Sequence, residues 1–147
     1  MIAHELGHAG LYVRDLEAST HFYRDVLGFR EVCRLPGATF LSSGRAHHEL
    51  ALIEPGPEAV PAPAGPYYGV AHLAVKIGNS LDELRAAHRE LLAAGTPITA
   101  VLDFEGSQSI VVRDPDGNEV EVFVDATPAL WRKDPSHVGT FPKPLTL

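Results

Sequence analysis

The fold is decided by the stretch Asp114-Pro115-Asp116-Gly117-Asn118-Glu119-Val120-Glu121-Val122-Phe123, which predicts a tight turn followed directly by a half-buried strand. Pro115 presets the first corner of the turn, and Asp116-Gly117-Asn118 tolerate the positive φ that follows. In the strand Glu119–Val124 the three valines fall on one face, which leaves the two glutamates and the phenylalanine on the other. A carboxylate in mid-strand is costly to bury unless it is paired or bound to a metal, so Glu121 needs a partner.

Composition limits the class of protein. A chain of 147 residues with 45% hydrophobic and 21% charged residues is typical of a single soluble, globular domain. The formal charge of -7 argues against nucleic acid or an anionic membrane as a partner, because no basic face is available to neutralise phosphates. Cys33 is the single cysteine, so no intrachain disulfide is possible. The N-terminus lacks the pattern of a signal peptide, and we expect a cytoplasmic protein.

The chain contains an internal repeat. Residues 5–53 predict a strand, a helix and three further strands, with the helix capped at Asp15 and ended by Gly28. Residues 54–69 carry five prolines and predict a linker. Residues 70–125 repeat the first pattern, and their helix begins at a Ser80–Glu83 capping box. The strands are expected at residues 8–13, 29–35, 38–42, 47–53, 70–77, 98–102, 109–113 and 119–124.

The repeat predicts an α+β fold for residues 1–147, treated as one domain. Two βαβββ modules are expected to form a curved mixed sheet around a cleft, with the helices on the outside. Residues 126–147 contain Trp131 and four prolines, and they predict an extended tail. The sheet edges of such modules need covering, so we expect a homodimer.

Each module opens with a histidine, His8 or His72, on the face of its first strand that lies opposite the apolar face. The last strand places Glu121 in the same way. If the two uncovered faces meet at the cleft, these three side chains converge there. Two neutral imidazoles and one carboxylate, with other positions left open, suit Fe(II) and its neighbours.

The fourth strand supplies a further candidate. Simple alternation from Leu50 and Leu52 turns Glu49 toward the cleft, where it could be a fourth ligand. A bulge would instead bring His48 inward. Tyr12 and Phe123 lie on the cleft faces of their strands and are expected to line the pocket.

Three motifs carry a resemblance to a known family: His-x-x-Leu-x-Val-x-Asp-Leu from His8, Phe-Tyr-Arg-Asp-Val-Leu-Gly-Phe from Phe22, and the Asp-Pro-Asp-Gly-Asn turn. Over residues 5–125 the chain resembles the vicinal oxygen chelate superfamily, which includes glyoxalase I, extradiol ring-cleaving dioxygenases, fosfomycin-resistance thiol transferases and bleomycin-binding proteins. The resemblance implies that the metal is bound by His8, His72 and Glu121.

The resemblance also implies roles for other residues. The segment His47–Leu52 is similar to the strand of extradiol dioxygenases in which the second histidine, here His48, works as acid and base. In glyoxalase I the same strand carries a carboxylate ligand, here Glu49. Extradiol enzymes usually carry a histidine and a tyrosine where this chain has Phe104 and Val111, which predicts a slow or altered enzyme.

The expected function is therefore an extradiol-type dioxygenase that uses Fe(II) or Mn(II), O2 and a small catecholic substrate. One alternative is a glyoxalase I-like isomerase or lyase with Ni(II) or Zn(II), in which Glu49 is ligand and base. Another is a protein that binds a drug or metabolite without catalysis.

Overall fold

The structure is a computed structural model that describes residues 3–63, 65 and 67–147. The chain forms two compact units, Met1–Tyr67 and Tyr68–Leu147. Within residues 54–69, where the sequence predicts a linker, the described part carries no helix or strand; residues 64 and 66 lie outside the described residues. No helix in the described part combines the length and apolar character that a membrane span requires.

The first unit contains a sheet of four strands in the order β1-β4-β3-β2. β1 runs parallel to β4, and the other neighbours are antiparallel. The strands are β1 Ala9–Tyr12, β2 Arg30–Leu35, β3 Ala38–Ser42 and β4 Leu50–Ile53. A helix, α1 Leu16–His21, packs against β3 and β4.

Helix α1 begins where the sequence predicts, because the Asp15 carboxylate accepts a hydrogen bond from the Ala18 N–H at 3.0 Å. It continues as a π-helical segment, Phe22–Val26, in which the adjacent rings of Phe22 and Tyr23 are both buried and meet edge to face. Gly28 then ends the helix at a φ of 82°. The predicted ends are confirmed, whereas the change in helical geometry had no signal in the sequence pattern.

The second unit repeats the first and adds one strand, giving a five-stranded sheet in the order β5-β8-β7-β6-β9. β5 is parallel to β8, as β1 is to β4. The strands are β5 Leu73–Gly78, β6 Ile98–Asp103, β7 Gln108–Arg113, β8 Glu119–Val124 and β9 Lys143–Pro144. The predicted α+β repeat is confirmed, and its strands form two sheets, one in each unit.

Helix α2, Leu81–Ala93, packs against β5, β7 and β8. Its capping box is present, because Ser80 Oγ accepts the Glu83 N–H at 3.3 Å and donates to the Glu83 carboxylate at 2.7 Å. Gly95, at a φ of 69°, follows the end of the helix. Both predicted ends of α2 are therefore confirmed.

Strand β8 has the alternation that the sequence predicts: its three valines are buried, and Glu119, Glu121 and Phe123 are half-buried. The turn before β8 is held by the buried Asp114 carboxylate, which accepts the N–H groups of Asp116 at 3.0 Å and Asn118 at 2.8 Å. Gly117 in this turn has a φ of 85°. The turn therefore fixes where β8 begins.

Three predictions were wrong. The strand expected at residues 70–77 starts at Leu73, so His72 lies directly before it. The strand expected at residues 47–53 begins only at Leu50, so His47, His48 and Glu49 lie in and at the end of the preceding loop. The tail is not simply extended, because it forms α3 Pro128–Lys133, a 3-10 turn at Pro135–Gly139 and β9. β9 pairs with β6, which covers an edge that the repeat alone leaves open.

Candidate metal centre

His72 and Glu121 come together in the second unit. Glu121 is in the middle of β8 and lies opposite Ala74 of β5, and His72 precedes Ala74 by two residues, which puts it on the same face. The His72 Nε2 and Glu121 Oε2 atoms are 3.4 Å apart. The His72 side chain is 44% exposed and that of Glu121 is 19% exposed. Glu121 thus has the partner that its place in mid-strand requires.

This pair fits a metal ion. Nitrogen and oxygen ligands that lie about 2 Å from one ion are separated from each other by about 3 Å. The Nε2 to Oε2 distance of 3.4 Å is close to that separation. Within the described residues of either unit, no three His, Cys, Asp or Glu side chains gather closely enough to hold an ion. The His72–Glu121 pair therefore needs at least one further donor.

His8 has the corresponding place in the first unit. It directly precedes β1, as His72 directly precedes β5, and it is exposed. Gly10, two residues after His8, lies opposite Ala51 in the parallel pair β1–β4. Because Ala74 lies opposite Glu121 in β5–β8, the position in the first unit that matches Glu121 is Ala51.

Glu49 is therefore not the counterpart of Glu121; it precedes Ala51 by two residues. Its carboxylate accepts hydrogen bonds from the loop before β4: the Ser43 N–H at 2.7 Å, the Ala46 N–H at 2.9 Å and the Ser43 hydroxyl at 3.1 Å. Burial alone would raise the pKa of Glu49, but hydrogen bonds from Ser43, Ser42 and Ala46 outweigh it and lower the pKa. Simple alternation could not reveal that these oxygens are already occupied.

The rings of His8, His47 and His48 lie near one another in the first unit, in a looser grouping than a bound ion requires. The ring centres of His8 and His48 are 4.5 Å apart, those of His47 and His48 are also 4.5 Å apart, and the Nδ1 atoms of the latter pair are 2.6 Å apart. Phe40 meets the His48 ring edge to face at 5.2 Å. Burial, and then the nearby rings of His47 and His8, lower the pKa of His48. The lowered pKa of His48 favours its neutral imidazole, which lies beside the predicted ligand His8.

The four predicted pocket residues differ in their burial and in their location in the fold. Val111 of β7 lies directly opposite Glu121 and is buried, and Phe123 shares the Glu121 face of β8. Phe104 is half-buried in the turn between β6 and β7, where the Thr140 hydroxyl donates to its carbonyl oxygen at 2.7 Å. Tyr12 is 73% exposed at the end of β1. Sequence reasoning missed Thr140, because its contact with this turn is not local.

Comparisons with known proteins indicate one superfamily. A family model described as Glyoxalase/Bleomycin resistance protein/Dioxygenase superfamily matches residues 5–122. Over 129 residues the chain is 30% identical to a catechol-2,3-dioxygenase of Bacillus subtilis (strain 168), covering 88% of this chain and 44% of that protein. Over 125 residues it is 34% identical to biphenyl-2,3-diol 1,2-dioxygenase 3 of Rhodococcus globerulus, and this match covers 84% of this chain and 65% of that protein. The match thus spans less than half of the first relative and less than two thirds of the second.

Solved structures give the same fold. A lactoylglutathione lyase from Agrobacterium tumefaciens is 29% identical with a TM-score of 0.65, and the match covers 88% of this chain and 97% of that one. A glyoxalase/dioxygenase from Nostoc punctiforme is 20% identical with a TM-score of 0.71, and the match covers 83% of this chain and 91% of that one. At this identity the likeness supports the fold alone. From the matched residues and the repeated βαβββ units, the chain belongs to the Glyoxalase/Bleomycin resistance protein/Dioxygenase superfamily.

Proposed function

We propose that the chain is a divalent-metal-dependent dioxygenase of the extradiol type, which cleaves the ring of a small catecholic substrate with O2. The observation that carries the proposal is the His72–Glu121 pair, whose Nε2 and Oε2 atoms lie 3.4 Å apart and fit one ion. The likeness to catechol and biphenyl-diol dioxygenases supports this reaction. A second copy of the chain is the proposed protein partner.

The proposed ligands are His8, His72 and Glu121. The support for His8 is its place directly before β1, which matches the place of His72 before β5. Two imidazoles and one carboxylate suit Fe(II) or Mn(II) and leave positions open for substrate and O2. A bound metal would make the substrate hydroxyl groups more acidic and hold both reactants together.

The reaction balances without an external reductant. The ring bond beside one hydroxyl-bearing carbon breaks, both atoms of O2 enter the product, and the ring supplies the electrons that reduce O2. The chain must take a proton from a substrate hydroxyl and return it to the product. His48 is suited to both steps, because its lowered pKa favours the neutral imidazole, the residue is half-buried and its ring centre lies 4.5 Å from that of His8.

Two apolar residues bear on this proposal: Val111, which lies opposite Glu121, and Phe104, which lies in the turn between β6 and β7. Val111 and Phe104 cannot donate a hydrogen bond, so neither can hold a substrate oxygen in place. Val111 is buried opposite Glu121, where its side chain helps to exclude water. We therefore propose that the proton transfers depend on His48 alone and that turnover is slow.

A glyoxalase I-like isomerase is the second candidate, favoured by the likeness to a lactoylglutathione lyase. It needs Glu49 as ligand and base. The hydrogen bonds from Ser43 and Ala46 to both oxygens of Glu49 count against it, and so does Ala51 at the position that matches Glu121. Glu49→Gln would abolish the isomerase and leave the dioxygenase largely active.

The test is oxygen uptake by iron-loaded protein with a panel of catechols, including ring-substituted ones. The expected result is consumption of a molecule of oxygen for each catechol, with a ring-opened product and with kcat lowered by about a hundredfold or more in His48→Ala while iron is retained. Iron-loaded protein that consumes no oxygen with any catechol would overturn the proposal.

A further inference from the structure

A hydrogen bond joins His47 to His48, and His47 has no role in the reaction proposed above. Their Nδ1 atoms are 2.6 Å apart, within the range of a hydrogen bond. Only one proton can lie between two ring nitrogens. In two neutral imidazoles, the ring that donates this proton has a bare Nε2, and the ring that accepts it carries its own proton on Nε2. The contact therefore links the tautomers of the two rings.

The other contacts of His48 orient its ring without choosing between its nitrogens. Phe40 meets the ring edge to face at 5.2 Å with an interplanar angle of 77°, and the His8 ring centre is 4.5 Å away. Such ring contacts fix the plane of an imidazole. The hydrogen bond from one named nitrogen to His47 is what distinguishes Nδ1 of His48 from Nε2.

The exposure of the two rings and the proposed role of His48 together decide which ring donates the hydrogen bond. His47 is exposed, so its own Nε2–H can be hydrated by solvent, whereas His48 is half-buried. A base that takes a proton through Nε2 must have a lone pair there. Both conditions are met when His48 donates its Nδ1–H and His47 accepts.

We infer that His47 is a positioning residue, which accepts the Nδ1–H of His48 and so keeps the Nε2 atom of His48 free to take a proton. The inference rests on the proposed dioxygenase function for its catalytic meaning. The hydrogen bond itself can be tested without metal or substrate.

The first test is nitrogen-15 NMR of histidine-labelled, metal-free protein at a pH about two units above the ordinary histidine pKa. The expected result is His48 protonated at Nδ1 in the wild type and in His47→Asn, because the asparagine side-chain oxygen can accept the same hydrogen bond. In His47→Leu this preference should be lost. A wild-type His48 protonated at Nε2, or an unchanged tautomer in His47→Leu, would overturn the inference.

The second test measures kinetics with iron-loaded protein. His47→Leu should lower kcat by about tenfold or more, with KM and iron content unchanged, and His47→Asn should restore most of the rate. In a His48→Ala background, His47→Leu should have no further effect, because the two residues act as a unit. His21→Ala is the matched control, since His21 is an exposed histidine on α1 whose Nδ1 bonds Asp25 at 2.8 Å.

The outcomes separate the two proposals. If His47→Leu keeps the wild-type kcat in an active enzyme, the role of His47 is wrong and the dioxygenase proposal stands. If iron-loaded wild type consumes no oxygen, the dioxygenase proposal is wrong, and the NMR result still decides whether His47 fixes the tautomer of His48. Should His47→Leu fail to fold, the comparison of His47→Asn with His47→Ala replaces it.

Discussion

Ala51 of β4 has the same place in the first unit that Glu121 of β8 has in the second. The repeat is therefore symmetric in its backbone and asymmetric in its acidic side chains. The second unit therefore pairs its opening histidine with a carboxylate at this position, and the first unit has alanine there. The proposed donor set of two imidazoles and one carboxylate leaves more open positions than a set of four protein ligands.

Glu49→Gln tests the role of Glu49 in the loop. The amide loses the negative charge that accepts hydrogen bonds from Ser43 and Ala46, so the free energy of unfolding should fall by about 1–3 kcal/mol. Urea denaturation measures this change. Iron content and the rate of oxygen uptake should stay within about threefold of wild type. Loss of iron from Glu49→Gln would instead identify Glu49 as a ligand.

The same carboxylate predicts a dependence of stability on pH. The pKa of folded Glu49 is lowered below its ordinary value of 4.5, so the unfolded chain binds the proton more tightly. The stabilisation is present above pH 4.5 and is lost as the pH falls through the lower, folded pKa. The difference in unfolding free energy between wild type and Glu49→Gln, measured from neutral to acidic pH, should therefore shrink on acidification. A difference that grows would contradict the assignment.

Gly117→Ala tests the turn that precedes β8. The φ of 85° at Gly117 is strained for any residue with a Cβ, so the substitution should cost about 1–2 kcal/mol of unfolding free energy. Gly7→Ala is the matched control, because a Cβ there meets nothing within 4 Å and its φ is not in the strained range. Chemical denaturation of both variants measures the difference. Equal stabilities would show that the turn tolerates a side chain.

Thr140→Val tests the contact between the tail and the turn that carries Phe104. The substitution keeps the shape of the side chain and removes the hydroxyl that donates to the Phe104 carbonyl at 2.7 Å. Amide hydrogen exchange over residues 104–107 should become faster, because this turn loses a restraint. Exchange over β8 should not change. If residues 104–107 exchange at the wild-type rate, the tail does not restrain the turn.

Much of the fold could be predicted because its signals are local. The valines of β8, the Asp15 cap and the Ser80–Glu83 capping box each depend on residues a few positions apart, and the structure has all three. The pairing of β9 with β6 depends on residues distant in sequence, and the sequence pattern carried no sign of it.

In the candidate site, too, the sequence pattern predicted some features correctly and others wrongly. Alternation along the strand expected at residues 70–77 and along β8 predicted that His72 and Glu121 share a face, and the His72 Nε2 and Glu121 Oε2 atoms lie 3.4 Å apart. The segment His47–Glu49 was assigned to a strand by alternation, although β4 begins at Leu50. Alternation assumes regular backbone, and it fails where the Glu49 carboxylate folds back onto residues 43–46.

The most direct test of the account is elemental analysis of protein purified without chelator or affinity metal. Wild type, Glu49→Gln and His21→Ala should each hold about one iron or manganese per chain, because neither substituted residue is a proposed ligand. His8→Ala, His72→Ala and Glu121→Ala should each lose the metal while remaining folded by circular dichroism. Folded Glu121→Ala or His72→Ala protein that still holds wild-type metal would contradict the central claim.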